Sequence, residues 1–369
     1  MSNKTIYFPG LNGLRAIAAI AVVISHITLG LSSFGLDAHL FGTFADGKPK
    51  GLSLAGFGVS IFFVLSGFLI TFLLQTEKER AEINIKKFYL RRILRIWPLY
   101  YVYLLVCMVT MLIYGFDIDV KNLFFYVFYT PNIPFVLGTG MAFVTHYWSL
   151  GVEEQFYLFW PWLNKKINNL IMPLIIMIIS IISIKVALHF LYPNSILEVV
   201  IHVTRFHCMM IGGVGAILYK QKHTLFLRLA DNKISQSICW FILFLVAINK
   251  YHFASIIDNE IISVVGLVII IGQINIKNRL INLENSIFDF LGKISYGIYV
   301  VHPLLIFLFA KIFSELTIAT PYKYIIVYGT ILVATILTAY ISYTYMEKYF
   351  LNFKKRFEVV KSASTNNLR

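Results

Sequence analysis

Charge is what this sequence is short of. Only 14% of its 369 residues are Asp, Glu, Lys or Arg, against about 25% in an ordinary soluble domain. That leaves too little polar surface to keep the chain in water, and it excludes a freely soluble globular enzyme. Cysteine is scarce too. Cys107, Cys208 and Cys239 are scattered in or beside apolar runs, with no CxxC pair and no metal-ligand spacing. Buried free thiols are therefore expected, and no metal site. The first apolar segment lacks a clear small-x-small cleavage site, so it is expected to stay as a helix and not to be removed as a signal peptide. No internal repeat or low-complexity linker marks a second domain.

What the chain does have is apolar blocks. Hydrophobic residues make up 58% of it, with a mean hydropathy of +0.75. They come in runs of about 18 or more, the length a bilayer core of ~30 Å requires of a helix. The expected fold is all-α, a polytopic membrane bundle of about ten transmembrane helices with both termini cytoplasmic. The helices are expected near 14–33, 56–75, 95–115, 145–163, 170–191, 203–219, 235–250, 259–275, 287–314 and 322–346. Residues 1–350 form one membrane domain and 351–369 a short basic cytoplasmic tail. The stretch 121–136 is apolar but short and holds Pro131 and Pro134. It is expected to lie at the interface or re-enter, not to span.

Loop charge agrees with this count. With the N-terminus inside, the cytoplasmic loops hold the runs Lys78–Arg95, Lys165–Lys166, Lys220–Lys233 and Lys277–Lys293, together with Lys4 and the basic tail. The opposite loops hold only Lys48, Lys50, Lys121, Lys250 and Lys323. That alternation is the positive-inside rule. It also accounts for the net charge of +14 without a nucleic-acid partner, since no soluble basic domain carries the charge.

Ionisable groups at membrane depth are costly and are functional candidates by default. In LNGLRAIAAIAVVISHI, Arg15 and His26 are eleven residues apart, hence on one helix face and roughly 16 Å apart along the axis. A guanidinium there could take an anionic group arriving from the cytoplasm, and a neutral imidazole could take a proton from a nucleophile. The competing reading is a snorkelling Arg and a His bonded to a neighbouring helix. In KKFYLRRILRIWPLYY, Arg92 and Arg95 share a face and suit phosphate recognition, although a topology anchor looks the same. In HYWSLGVEEQFYLFWPWL, Ser149, Glu153 and Tyr157 form a polar stripe, with Glu154 and His146 on another. A carboxylate in the membrane needs a partner, and Glu153 is a candidate to orient and charge-stabilise His26. In GKISYGIYVVHPLLI, Ser295 and His302 align, and His302 precedes Pro303. Ser66–Gly67 in FFVLSGFLIT suits close helix packing, and Ser66 could line a pocket.

These five segments, in this order over roughly residues 8–346, resemble the acyltransferase-3 family of bacterial membrane O-acyltransferases. The resemblance implies ten helices with both ends cytoplasmic, in the bacterial inner membrane. It implies transfer of an acyl group, acetyl by default, from acetyl-CoA or another acyl-CoA to a hydroxyl of a surface glycan or its lipid-linked precursor. Carried onto this chain, His26 would be the catalytic His, Arg15 would act in donor binding or catalysis, and Arg92 and Arg95 would contact the CoA phosphates. No permanently bound cofactor is expected, acyl-CoA being a donor substrate. Membrane lipids surround the bundle, and a second copy of the chain or an envelope-assembly protein is left open as a partner. Asn12 stands where the family often has Asp, which keeps a helix cap but loses a charge. No hydrolase-like domain follows the last helix, so the single-domain form is expected. The rival function is an exporter or flippase of a glycan or lipid-linked sugar, using the same polar core as a path.

Overall fold

The computed structural model describes residues 6–313, 315 and 318–360; the regular elements among them are all helices, joined by turns and loops, one of which carries an isolated bridge between Thr43 and Pro49. Lys4 and residues 361–369 of the expected basic tail lie outside the described residues. All ten expected segments are helical. They are α1 (Leu11–Leu29), α2 (Ser53–Arg80), α3 (Ile85–Ile113), α6 (Trp148–Lys166), α7 (Ile171–Leu191), α9 (Phe206–Lys220), α11 (Lys233–Ala247), α12 (Asp258–Ile274), α14 (Ser295–Phe313) and α15 (Thr320–Ser342). Shorter helices intervene: α4 (Val120–Val127), α5 (Asn132–Val136), α8 (Ile196–Thr204), α10 (Thr224–Ala230), α13 (Ser286–Lys293) and α16 (Lys348–Lys354). Among the described residues, seven helical stretches are long and apolar enough to cross a membrane, or eight if α10 and α11, bent by 51°, form one span. The chain is a multi-pass integral membrane protein. Two expected spans fall outside that set. α6 carries Glu153, Glu154, Lys165 and Lys166, and α12 has 17 residues with Asp258 and Glu260 in its first turn.

Local chemistry explains the breaks. The stretch 121–136 folds as two short helices, α4 capped by the Asp119 carboxylate on the Lys121 amide at 2.8 Å. They part at Tyr129, whose φ is 58°, and Pro131. The two tyrosines Tyr100 and Tyr101 of α3 donate to the carbonyls of Tyr126 and Val127, which satisfies the frayed end. One expectation at the start of α1 is corrected. Its cap is Gly10, not Asn12, with φ 73° and the Gln273 side chain so close that a Cβ would lie 2.2 Å from it. Asn12 instead sits inside the helix and donates to Asp289 of α13 at 2.8 Å. An Asp there would set two carboxylates against each other.

Lipid is as apolar as Leu, so burial alone does not hold such helices together; close backbone approach and interhelical hydrogen bonds do. α1 is packed between α2, α12, α13, α14 and α15, with Ala16, Ala18, Ala19 and Ala21 all buried. The tightest crossing joins α2 to α9. A Cβ on Gly67 would lie 1.9 Å from the Met209 carbonyl, and one on Gly212 would lie 2.0 Å from that of Val64. The expected packing role of Ser66–Gly67 is thus seen at Gly67. One turn on, Trp160 Nε1 donates to Thr71 Oγ1 at 3.0 Å and ties in α6. The three cysteines are buried and free.

Candidate active site

Polar side chains accumulate on the inner faces of α1, α2, α3, α6 and α14, at three depths. At the Arg15 end of α1 lies a small pocket of about 70 Å³, lined by Glu77, Arg91, Arg92 and Arg95 with Lys354 of α16 and Glu358 beyond it. Two of its cations are taken. Arg91 pairs with Glu77 at 3.0 Å and donates to the Phe357 carbonyl at 2.9 Å, and Lys354 stands 3.7 Å from Glu358. Neither Arg92 nor Arg95 has a carboxylate within ion-pair distance among the described residues. The Arg92 guanidinium lies over the rings of Tyr157 and Phe88, at 5.2 and 5.8 Å. Arg95 is exposed to the pocket. Glu347 lies within electrostatic reach of Arg95, on a single π-helical turn, Tyr343–Glu347, that ends α15. Such turns often mark functional positions.

At middle depth, Glu153 accepts hydrogen bonds from both Ser66 of α2 and Tyr157 of its own helix, and these two hydroxyls also touch each other. The periodicity that put Glu153 and Tyr157 on one face is therefore real, and Ser66 completes it from across the helix pair. Arg15 shares this electrostatic neighbourhood with Glu153, Tyr157, Arg92 and Arg95, and it donates to Asn12 Oδ1 at 3.1 Å. Asn12 thereby links Arg15 to Asp289. Glu154 points elsewhere, toward Arg92 and Trp97.

Deepest lies a group of imidazoles. His26 Nδ1 and His302 Nε2 are 2.7 Å apart. The His146 ring packs 5.2 Å from that of His302, edge to face. Pro303 has no N–H to give the Tyr299 carbonyl four residues back, and both His146 and His302 approach that carbonyl. Tyr299 Oη in turn bonds Ser149 Oγ at 2.7 Å and the His146 carbonyl at 2.5 Å. His302 is fully buried, whereas His26 and Arg15 are half-buried.

Several sequence expectations are rearranged by these contacts. Glu153 does not hold His26; its two bonds go to Ser66 and Tyr157, and His302 occupies the position beside His26. Ser149 leaves the Glu153 stripe for Tyr299. Ser295 donates to the Gly292 carbonyl at 2.9 Å at the start of α14 and makes no contact with His302. Lys354 falls in the stretch expected as a basic tail, and neither it nor Glu347 lies in a segment whose pattern marks chemistry.

The stretch 8–344 matches the Acyl_transf_3 family model, described as an acyltransferase domain. The chain belongs to this acyltransferase family. The match spans Arg15, Arg92, Arg95, Glu153, His26 and His302, and it ends just short of Glu347 and Lys354. Among curated relatives, the chain is similar to the peptidoglycan O-acetyltransferase OatA of Listeria monocytogenes, 34% identical over 168 residues that cover 42% of this chain and 24% of the relative. It is also similar to the O-acetyltransferase OatA of Staphylococcus aureus, 29% identical over 232 residues covering 58% and 35%. A putative O-acetyltransferase, SACOL0978, of the same species is 34% identical over 169 residues covering 43% and 25%. The matches thus span only about a quarter to a third of those relatives' length. No solved structure matches.

Proposed function

We propose that this acyltransferase moves an acetyl group from acetyl-CoA, bound from the cytoplasmic side, to a hydroxyl of a cell-surface glycan or its lipid-linked precursor in the bacterial inner membrane. The relatives' names make peptidoglycan the first acceptor to try. One observation carries the reading: His26 is a half-buried imidazole whose Nε2 has no partner among the described residues, on the same helix as Arg15 and deeper than the arginine pocket.

The chemistry follows from the parts. Arg92 and Arg95, the pocket's cations without a carboxylate partner, receive the donor's phosphates. Arg15, beyond them, stabilises charge nearer the thioester. His26 Nε2 removes the proton of the acceptor hydroxyl as its oxygen attacks the acyl carbon, and then returns that proton to the departing thiolate. The products are the acetate ester and free CoA thiol. Glu153 serves the site indirectly, by tying α2 to α6 and by offsetting the three arginines.

Replacing His26 by Ala tests the reading. Membranes containing His26→Ala should hold normal amounts of folded protein but transfer no label from [14C]acetyl-CoA to membrane glycan. Full transfer by that variant would refute it.

A further inference from the structure

We infer that His302 is the positioning residue of the site: a neutral imidazole that fixes the tautomer of His26 and so exposes a basic Nε2 to the acceptor. The inference deepens the proposed function and rests on it for its kinetic consequences, though not for the tautomer itself.

The hydrogen bonds allow only one neutral arrangement. His302 Nδ1 lies 3.2 Å from the Ile298 carbonyl oxygen, and the Tyr299 carbonyl stands close by. Carbonyl oxygens only accept, so His302 carries its proton on Nδ1. Its Nε2 then holds a lone pair. The 2.7 Å contact with His26 Nδ1 needs one hydrogen between the two nitrogens, and His26 must supply it. With its proton on Nδ1, the neutral His26 ring presents a bare Nε2 lone pair. This is the orientation a general base needs, and a carboxylate enforces it in Ser-His-Asp triads. Here the acceptor is uncharged. Glu153 is unavailable for that task, being occupied by Ser66 and Tyr157.

A neutral acceptor suits the place. His302 is fully buried, as is His146 beside it, and an unpaired carboxylate at that depth would be costly. When His26 Nε2 takes the hydroxyl proton, the new positive charge sits on a ring whose Nδ1–H already points at His302 Nε2. The charge stays on His26, the more exposed of the two rings, and the neutral His302 Nε2 stabilises it by accepting the Nδ1–H across the 2.7 Å contact. His26 becomes neutral again when its Nε2 proton passes to the departing thiolate.

Two measurements decide the inference, both on the full chain in lipid nanodiscs. In 15N spectra of histidine-labelled protein, with His26 assigned by its loss in His26→Gln, His26 should show a protonated Nδ1 and an unprotonated Nε2. A protonated Nε2 overturns the proposal, whatever the activity. In acetyl transfer, His302→Leu removes the acceptor at similar volume, and kcat should fall by roughly 10²- to 10³-fold, within the range general-base catalysis contributes. The KM for acetyl-CoA should stay within about threefold. His302→Gln places an amide oxygen near the lost Nε2 and should recover kcat to within roughly tenfold of wild type. Wild-type kcat in the Leu variant, or a Gln variant as poor as Leu, overturns the proposal. Should the Leu variant fail to reach the membrane, the Gln variant and the tautomer still decide. Wild-type protein inert toward acetyl-CoA would instead remove the proposed function and leave the tautomer standing.

Discussion

Gly67→Ala is the sharpest test of how the fold holds the site. The added Cβ would lie 1.9 Å from the Met209 carbonyl oxygen and 2.7 Å from its carbon, where ordinary contact begins near 3.4 Å. The obstacle is backbone, so no rotamer change relieves it, and α2 must part from α9 by roughly 1.5 Å at their crossing. Overpacking of a well-packed core costs typically about 1–3 kcal/mol, and a clash with rigid backbone belongs at or above the upper end. The same displacement acts on the next residue along, Ser66, and on Thr71 one turn later, whose 3.0 Å bond from Trp160 cannot survive it intact. Transfer activity should therefore drop with stability. Thermal unfolding in detergent, followed by tryptophan fluorescence, measures the first, and label transfer the second. Gly329→Ala is the control: it is in α15 with nothing within 4 Å of its Cβ, so it should unfold at the wild-type temperature. If Gly67→Ala matched that control, the close α2–α9 crossing would be wrong, and so would the account of how Ser66 is placed.

Two further perturbations probe the polar layers. Arg92→Lys and Arg95→Lys keep the charge but lose the planar fork, and a charge-assisted bond is worth about 1.5–3 kcal/mol. Each should raise the acetyl-CoA KM roughly tenfold or more with kcat little changed; Arg91→Lys, whose fork is spent on Glu77 and Phe357, should act mainly on thermal stability. Equal KM effects from all three would contradict the division between them. Glu153→Gln keeps the shape of the α2–α6 tie but removes the charge that receives both hydroxyls. The unfolding free energy should fall by about 1–3 kcal/mol, and a variant as stable as wild type in the same melts would show that the tie carries little.

The sequence by itself decided which stretches are helices and which of their faces are polar. Both follow from local facts: apolar runs of bilayer length, and residues repeating at three, four, seven or eleven positions. Arg15 with His26, Arg92 with Arg95 and Glu153 with Tyr157 were all legible that way. Even the break near Tyr129 announced itself through Pro131 and Pro134. Partners across helices were not legible. Nothing near residue 26 says that its ring nitrogen meets residue 302, or that Glu153 turns to Ser66, because those pairings depend on which helices are neighbours and how each is rotated. Gly67 and Gly212 set one such rotation through backbone contacts that a one-dimensional pattern does not record. The same holds for Lys354, which a π-helical turn and the short α16 bring from the end of the chain to the arginine pocket. Tertiary packing alone decided that His26 meets another histidine and not a carboxylate.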